Sequence, residues 1–212
     1  MSAATVAGVL LIAVPLAFNV AFARLAATFD YPDVLRKPTA EVLAAFRAGG
    51  TALVLRWWAF AMTAVLLAPL VVLFAAAIPD ADPTLLSVAT TIGVLASVVQ
   101  FLGLIRWVFL VPYLAEAGES ETVDIVFQAF NRYLGVAVGE HLGYLFTGTW
   151  TTLAGIALTQ TAAAPAVLGI VGIVIGPALM LCALPAAERL TPPAYVAWSL
   201  WLIATGIALL AG

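Results

Sequence analysis

The chain has 212 residues, of which 65% are hydrophobic and 9% are charged, with a formal net charge of -3. Soluble domains carry about a quarter charged residues, so too few Lys, Arg, Asp and Glu are present to cover a core of this size with a polar surface. The scarcity of basic residues also excludes a nucleic-acid-binding surface, which needs clustered Lys and Arg. The composition predicts an all-α, polytopic protein that folds as one transmembrane domain over residues 1–212 in a lipid bilayer.

The residue inventory restricts the chemistry further. Cys182 is the single cysteine and His141 the single histidine, which excludes an internal disulfide, a Cys-rich metal site and a haem held by two histidines of one chain. The sequence has no H-E-x-x-H zinc motif, no phosphate-binding P-loop and no G-x-S-x-G nucleophile motif. We therefore expect neither a metal nor a cofactor, and an enzyme is the less favoured class.

Six largely uncharged runs approach the roughly 20 residues that a membrane-crossing helix needs. They predict spans at 5–23, 53–78, 85–106, 134–158, 166–184 and 194–210. No basic side chain lies in residues 1–5, so we expect the first run to be retained rather than removed as a signal peptide.

The connections between these runs have their own patterns. Segment 40–48 (AEVLAAFRA) is predicted as a short interfacial helix, and segment 125–133 looks amphipathic. The turn at 79–83 (PDADP) joins spans two and three as a hairpin, because proline fixes φ and aspartate side chains bond to nearby backbone.

The basic residues predict an orientation. Six spans place connections 24–52, 116–133 and 185–193 on one side, and the turn at 79–83, the link at 159–165 and both termini on the other. All eight Lys and Arg residues lie on or toward the first side. Because cytoplasmic loops are enriched in Lys and Arg, the first side is predicted to be cytoplasmic and both termini to be outside.

Small residues recur every four positions along the fourth span, and more briefly along the fifth. Small residues at this spacing let membrane helices approach closely and form interhelical hydrogen bonds. The pattern predicts packing inside the bundle, with a homodimer interface as the alternative. The predicted packing residues are Gly135, Gly139, Gly143, Thr147, Gly172 and Gly176.

Ionisable side chains recur at one level of the predicted bundle, toward its cytoplasmic side. Charged groups in hydrocarbon are costly and usually pair or face the bundle interior. One hypothesis is a cytoplasm-facing pocket where two arginines attract an anionic or polar group and Glu140 or His141 accepts a proton. The alternative is structural, with the arginines extended to lipid phosphates, Glu140 in an ion pair and His141 as a satisfied structural histidine. The predicted ligand-binding residues are Arg56, Arg106, Glu140, His141, Asn19 and Asn131.

Tryptophans follow both arginines of this layer, in Arg56-Trp57-Trp58 and in Arg106-Trp107. The amphipathic indole ring favours the membrane interface, where it can also lie against a cation. These tryptophans are therefore predicted to lie in an interfacial belt.

Two stretches carry a resemblance to a known family. Arg106-Trp107 leads into Val111-Pro112-Tyr113, and residues 139–145 (GEHLGYL) are followed by Trp150. This pattern, over spans three and four, resembles a family of uncharacterised bacterial multi-pass membrane proteins known only as a domain of unknown function. The resemblance implies a bacterial cytoplasmic (inner) membrane location and no activity.

The favoured function is binding or transport of a small polar or anionic ligand through a cytoplasm-facing pocket built from spans two, three and four. One alternative is a non-catalytic subunit or scaffold that packs on another membrane protein or a second copy, through the span-four glycines or Trp198 and Trp201. A co-purifying partner would favour it. The other alternative is an intramembrane enzyme with Glu140 as its base, for which a folded Glu140→Gln variant should lose turnover.

Overall fold

The computed structural model describes residues 2–212, except for the side chain of Glu188, and these residues form helices and loops without a strand. The predicted all-α class is confirmed. A π-helix (Asn131–Leu142) joins α4 directly to α5, and 3₁₀ turns lie at Asp33–Arg36 and Pro185–Leu190. The α-helices are α1 (Ala3–Phe29), α2 (Thr39–Ala77), α3 (Pro83–Ala117), α4 (Glu121–Phe130), α5 (Gly143–Leu158), α6 (Ala166–Leu181) and α7 (Thr191–Ala211).

Four of the described helices, α1, α2, α3 and α7, are long and apolar enough to cross a membrane. The predicted fifth span falls mainly on α6, which is apolar but has only 16 residues. The predicted fourth span is divided between the 12-residue π-helix and the 16-residue α5, because the hydrogen-bond pattern changes at Gly143. By length and composition, the helices are those of an integral membrane protein.

α2 begins within the segment predicted as a separate interfacial helix. At Gly50 the backbone has φ 53° and ψ −154°, a left-handed conformation that glycine adopts at little cost, and this kink divides α2 into two parts. The first part, residues 39–49, is here called the α2 arm. It is amphipathic, since it buries Val42, Leu43 and Phe46 and exposes most of the residues between them.

The turn between α2 and α3 forms where the sequence predicts it. Asp82 caps α3, because its carboxylate accepts a hydrogen bond of 2.7 Å from the backbone N–H of Leu85. Pro83 occupies the first turn of α3, where the missing N–H costs no helical hydrogen bond. The cap and the proline together reverse the chain sharply after α2.

Hydrogen bonds gather alternate connections at opposite ends of the bundle. At one end, the Asp82 backbone N–H donates to Gln160 Oε1 over 2.9 Å, which ties the α2–α3 turn to the α5–α6 link. At the other end, Arg47 Nε donates to the Ala115 carbonyl over 3.0 Å, which ties the α2 arm to the end of α3. These bonds place the α2–α3 turn beside the α5–α6 link and the α2 arm beside the end of α3.

Two hydrophobic clusters fill the bundle, one toward each end. The Trp150 cluster joins parts of α1, α2, α3, α5, α6 and α7, and its large members include Leu11, Leu70, Phe74, Trp150, Leu158, Leu179, Trp198, Trp201 and Leu202. The Trp107 cluster joins the end of α1, the α2 arm, the following turns of α2, the end of α3 and α4. Its large members include Leu25, Phe29, Val42, Phe46, Leu53, Trp57, Phe60, Trp107, Val111, Leu114 and Phe127.

Candidate functional site

Arg106 lies on α3 beside the Trp107 cluster and is 8% exposed. Its guanidinium donates one hydrogen bond to the Gly103 carbonyl and a second, of 2.9 Å, to Asn131 Oδ1 on the π-helix. The guanidinium carbon also lies 5.3 Å from the centroid of the Trp107 ring, within the range of a cation–π contact. A positive charge is thus held between two helices, away from solvent.

Glycines on both helices make room for this arrangement. A Cβ at Gly135 would lie 2.6 Å from Arg106 Nη2, so any side chain there would displace the guanidinium. A Cβ at Gly103 would lie 2.7 Å from the Gly139 Cα, which shows that the α3 and π-helix backbones touch. The close approach brings Asn131 within hydrogen-bonding distance of Arg106. Segments of π-helix are rare and often occur at functional sites.

Glu140 is half-buried on the π-helix and lies within electrostatic range of both Arg106 and Tyr31. Burial and, to a smaller extent, the negative charge of Glu140 raise the pKa of Tyr31 to about 12, against the lowering effect of the positive charge of Arg106. At neutral pH the Tyr31 hydroxyl therefore remains protonated and can donate a hydrogen bond. Tyr31 was not predicted as a site residue, because a loop residue among charged neighbours gives no sign of burial.

An open cleft of about 400 Å³ lies between the α2 arm and α4. Thr39 Oγ1 donates a hydrogen bond to Asp124 Oδ1 across this cleft, and Gln128 Nε2 donates to Thr39 Oγ1 over 2.9 Å. The cleft is lined by Pro38, Thr39, Ala40, Leu43, Glu119, Ser120, Val123, Asp124 and Gln128. Its walls thus combine carboxylates, hydroxyls and an amide with a few apolar side chains.

One face of α4 and the first turn of the π-helix connects the cleft to Arg106. Asp124, Gln128 and Asn131 are spaced i, i+4 and i+7, so they lie along one side of the helix. Asp124 and Gln128 line the cleft, and Asn131 accepts the hydrogen bond from Arg106. Asp124 and Thr39 were not predicted as site residues from the sequence. The four-residue spacing of Asp124 and Gln128, which places both on one side of a helix, could have indicated Asp124.

The remaining predicted ligand-binding residues lie apart from this polar face. Asn19 is exposed on α1 and donates to the Pro15 carbonyl (2.7 Å) and to Ser199 Oγ of α7 (3.0 Å). His141 is exposed, and its Nδ1 lies 3.2 Å from the Ala183 carbonyl, beyond the end of α6. Arg56 is half-buried on α2. The structure therefore brings together Arg106 and Asn131, with Glu140 in electrostatic range.

Two of the three tryptophans predicted for an interfacial belt are packed inside the bundle. Trp57 and Trp107 are 0% and 1% exposed, and their rings stack with centroids 4.5 Å apart and planes 8° apart. Trp58 is 49% exposed. Because Trp57 and Trp107 follow Arg56 and Arg106 in sequence, the stacked rings also bring the two arginines to the same level of the bundle.

The predicted packing stripe makes its contacts within the chain. Beyond the contacts of Gly135 and Gly139 described above, a Cβ at Gly143 would lie 3.0 Å from Gln100 Cγ. Gln100 Nε2 also donates to Thr147 Oγ1 over 2.9 Å. These four stripe residues therefore face α3.

The glycines of α6 pack within the bundle as well. A Cβ at Gly172 would lie 2.8 Å from the Trp201 ring, and one at Gly176 would collide with α5 at Thr152. Trp198 and Trp201, which the scaffold alternative also used, are 6% and 2% exposed. These contacts leave neither the glycines nor the two tryptophans on the outer surface of the chain.

By their length and composition, four apolar helices among the described residues define an integral membrane helical protein. The chain belongs to the DUF4386 family, described as a domain of unknown function, whose family model matches residues 6–210. Comparisons with curated proteins and with solved structures gave no match. The predicted resemblance to a domain-of-unknown-function family is confirmed, and the match extends well beyond spans three and four.

Proposed function

We propose that this protein lies in the cytoplasmic membrane of a bacterium and binds a small polar or anionic ligand in the cleft between the α2 arm and α4. The observation that carries the proposal is the polar face formed by Asp124, Gln128 and Asn131, which leads from an open cleft to a buried guanidinium. A buried charge in an apolar protein is costly unless it is paired or used. The face gives a ligand at the cleft a polar route toward that charge.

The proposed topology has six spans with both termini outside. In it, α1, α2, α3, the π-helix with α5, α6 and α7 cross the membrane in turn. The cleft then lies at the cytoplasmic end, because the α2 arm and α4 belong to the connections that carry Arg36, Lys37, Arg47 and Arg132. The ties at Asp82–Gln160 and Arg47–Ala115 support this arrangement, since each joins connections assigned to the same side.

The charges of the site favour a particular kind of ligand. Glu119 and Asp124 at the cleft suit a group that donates hydrogen bonds, such as an amine, amide or hydroxyl. Arg106 at the inner end suits a group that accepts them, such as a carboxylate or phosphate oxygen. A small molecule that carries both kinds of group is the best match to the two ends of the polar face.

The test is a thermal unfolding screen of the purified protein in detergent against amino acids, inorganic phosphate, nucleotides, polyols and lipid head groups. A ligand that binds only the folded state raises its stability, by about 2.7 kcal/mol at a hundred times Kd. We expect one class of compound to raise the unfolding temperature of wild type. The Asp124→Asn and Arg106→Met variants should lose that increase.

Asp80→Asn is the matched control, because Asp80 is an exposed aspartate in the turn at the opposite end of the bundle. It should respond to the compound like wild type. The proposal fails if no compound stabilises wild type, or if a stabilising compound acts equally on the Asp124→Asn variant. In the first case the buried Arg106 is a structural pairing between α3 and the π-helix.

A further inference from the structure

α4 and the first turns of the π-helix present three different faces. The first packs on the Trp107 cluster, where Val123 and Phe127 are buried. The second is the polar face beside the cleft, with Asp124, Gln128 and Asn131. The third face is turned outward and is exposed.

The exposed face is apolar. Ile125, Phe130, Tyr133 and Val136 are between 42% and 67% exposed. Together with the exposed Ala129 they recur at i, i+4, i+5, i+8 and i+11, the spacing of an apolar face along one side of a helix. These five residues are here called the outer face. None of them is charged, so the outer face is unfavourable in contact with water.

A short amphipathic helix with such a face is typical of a membrane interface. Its apolar side enters the boundary between head groups and acyl chains, and its polar side stays hydrated. Tyr133 fits this position, because a tyrosine ring has an apolar body and a polar tip and is enriched at head-group level. Arg132 is exposed at the edge of the outer face, where a long basic side chain can extend to a lipid phosphate.

The outer face is continuous with an apolar part of the bundle. The chain passes from α4 into the π-helix without a loop, so Val136 lies on the same segment as His141. His141 Nδ1 lies 3.2 Å from the Ala183 carbonyl, beyond the end of α6. Leu181 and Leu184, on either side of Ala183, are 51% and 52% exposed. The outer face therefore adjoins the exposed apolar end of α6.

The size of the outer face favours lipid over a second protein surface. A stable protein–protein interface uses about 20–30 residues on each side, whereas the outer face has five. Acyl chains are fluid and need no matching surface. We propose that α4 lies at the membrane surface, with its outer face against the acyl chains of the lipid leaflet at this end of the bundle.

This contact is independent of a ligand in the cleft, because the outer face and the polar face lie on different sides of α4. It has a consequence for the cleft all the same. If lipid covers one side of α4, the cleft on another side of the same short helix lies at the depth of the lipid head groups.

The experiment measures the surroundings of spin labels on the full chain in nanodiscs of phosphatidylethanolamine and phosphatidylglycerol. Cys182, the single cysteine, is first replaced by alanine. Labels are then attached to Ile125→Cys or Tyr133→Cys, and to Glu119→Cys, an exposed position in the linker before α4, as the control. Oxygen concentrates among acyl chains and a charged nickel chelate stays in water, so the two collision rates distinguish lipid from water.

We expect the ratio of oxygen to chelate collisions to be several-fold higher for both outer-face labels than for the Glu119→Cys label. All three positions are exposed, so the labelled proteins should keep the unfolding temperature of the cysteine-free chain. Val136→Cys replaces either outer-face position if that variant does not fold.

Equal ratios at the outer face and at Glu119→Cys would overturn the proposal, because the outer face would then lie in water. It is also overturned if neither reagent reaches the outer-face labels, since a second copy of the chain would then cover them. Asp124→Asn, which should abolish a ligand response in the cleft, should leave the collision rates at Ile125→Cys unchanged. Failure of the ligand proposal and failure of the lipid contact are therefore distinguishable.

Discussion

The α5–α6 contact and the Trp107 cluster are built in different ways. Beside the Trp150 cluster, α5 and α6 pack through glycines, and a Cβ at Gly155 would lie 2.7 Å from the Gly169 carbonyl oxygen. The Trp107 cluster instead packs through rings, with Phe29, Phe46, Trp57 and Phe127 all in contact with Trp107. The α5–α6 contact therefore depends on residues of small volume, and the Trp107 cluster depends on side chains of large volume.

The difference has a physical basis. In lipid, helices associate through close van der Waals contact rather than through the hydrophobic effect, so glycines that let backbones touch are effective. The Trp107 cluster lies at the other end, where the α2 arm and α4 pack against the ends of α1 and α3. Aromatic side chains fill the space between these helices and add specific ring–ring contacts. Added volume should harm the α5–α6 contact, and removed volume should harm the Trp107 cluster.

The largest effect is expected for Trp57→Ala. Trp57 is completely buried and stacks on Trp107, so its loss leaves a cavity at the centre of the Trp107 cluster. Truncation of a buried tryptophan costs about 3–5 kcal/mol. Trp58→Ala is the matched control, because Trp58 is the next residue and is 49% exposed. Equal unfolding free energies for the two variants in mixed SDS micelles would contradict the importance of large volume here.

A smaller loss is expected for Gly155→Val. Its side chain would meet the Gly169 carbonyl and the Ile173 backbone N–H of α6, which cannot move without separating the helices. Overpacking of this kind costs about 1–3 kcal/mol. At Gly143 a Cβ would meet only the flexible Gln100 side chain, so Gly143→Ala should cost less in the same unfolding assay. If Gly155→Val lowered the unfolding free energy less than Gly143→Ala, close contact between α5 and α6 would not be important for stability.

The junction between α3 and the π-helix should respond more weakly to Asn131→Ala. This change removes the acceptor of the Arg106 Nη2 hydrogen bond, and a hydrogen bond to a charged group is worth about 1.5 kcal/mol or slightly more. Arg132→Ala, at the neighbouring exposed position, should leave the unfolding free energy unchanged. If both variants unfold like wild type, the Arg106 guanidinium has another adequate partner.

The smallest effect concerns the exposed ion pair between Lys37 and Asp30, with Nζ–Oδ2 of 2.8 Å, outside both clusters. The hydrogen bond to Asp30, and then its charge, raise the pKa of Lys37 above the ordinary value of 10.5. A raised lysine pKa means that the pair contributes fully below pH 10.5 and is lost as pH rises through the higher value.

Asp30→Asn should lower the Lys37 pKa toward its ordinary value, as measured by NMR of the side chain. The unfolding temperature at neutral pH should hardly change, because exposed ion pairs contribute little. A clear fall in the unfolding temperature would mean that the loop from Asp30 to Lys37 helps to hold the Trp107 cluster together.

The fold class could be predicted from the sequence because hydropathy is a property of each segment by itself. Long apolar runs placed α1, α2, α3 and α7 without any knowledge of their neighbours. The polar residues Arg106 and Asn131 could be identified for the same reason, since polar groups in apolar runs need partners wherever they lie. The hydrogen bond between Arg106 and Asn131 could not be predicted in this way, because it depends on how α3 and the π-helix pack against each other.

The features that were missed depend on the path of the chain. The Trp57–Trp107 stack needs α2 and α3 to face each other at a particular level, and an Arg-Trp dipeptide looks the same at an interface. The change from α- to π-helix at Asn131–Leu142 is a change in the backbone hydrogen-bond pattern, which hydropathy does not predict. Thr39 meets Asp124 only because the kink at Gly50 sets the direction of the α2 arm.

The short α6 has a consequence for the surrounding lipid. A helix of 16 residues rises about 24 Å, whereas the hydrocarbon core of a typical bilayer is about 30 Å thick. In the six-span arrangement, this side of the protein is thinner than the membrane, while α2 and α3 are longer than the membrane requires. Such a mismatch is relieved by local thinning of the bilayer or by tilt. The protein should therefore deform the membrane unevenly around its circumference, most strongly beside α6.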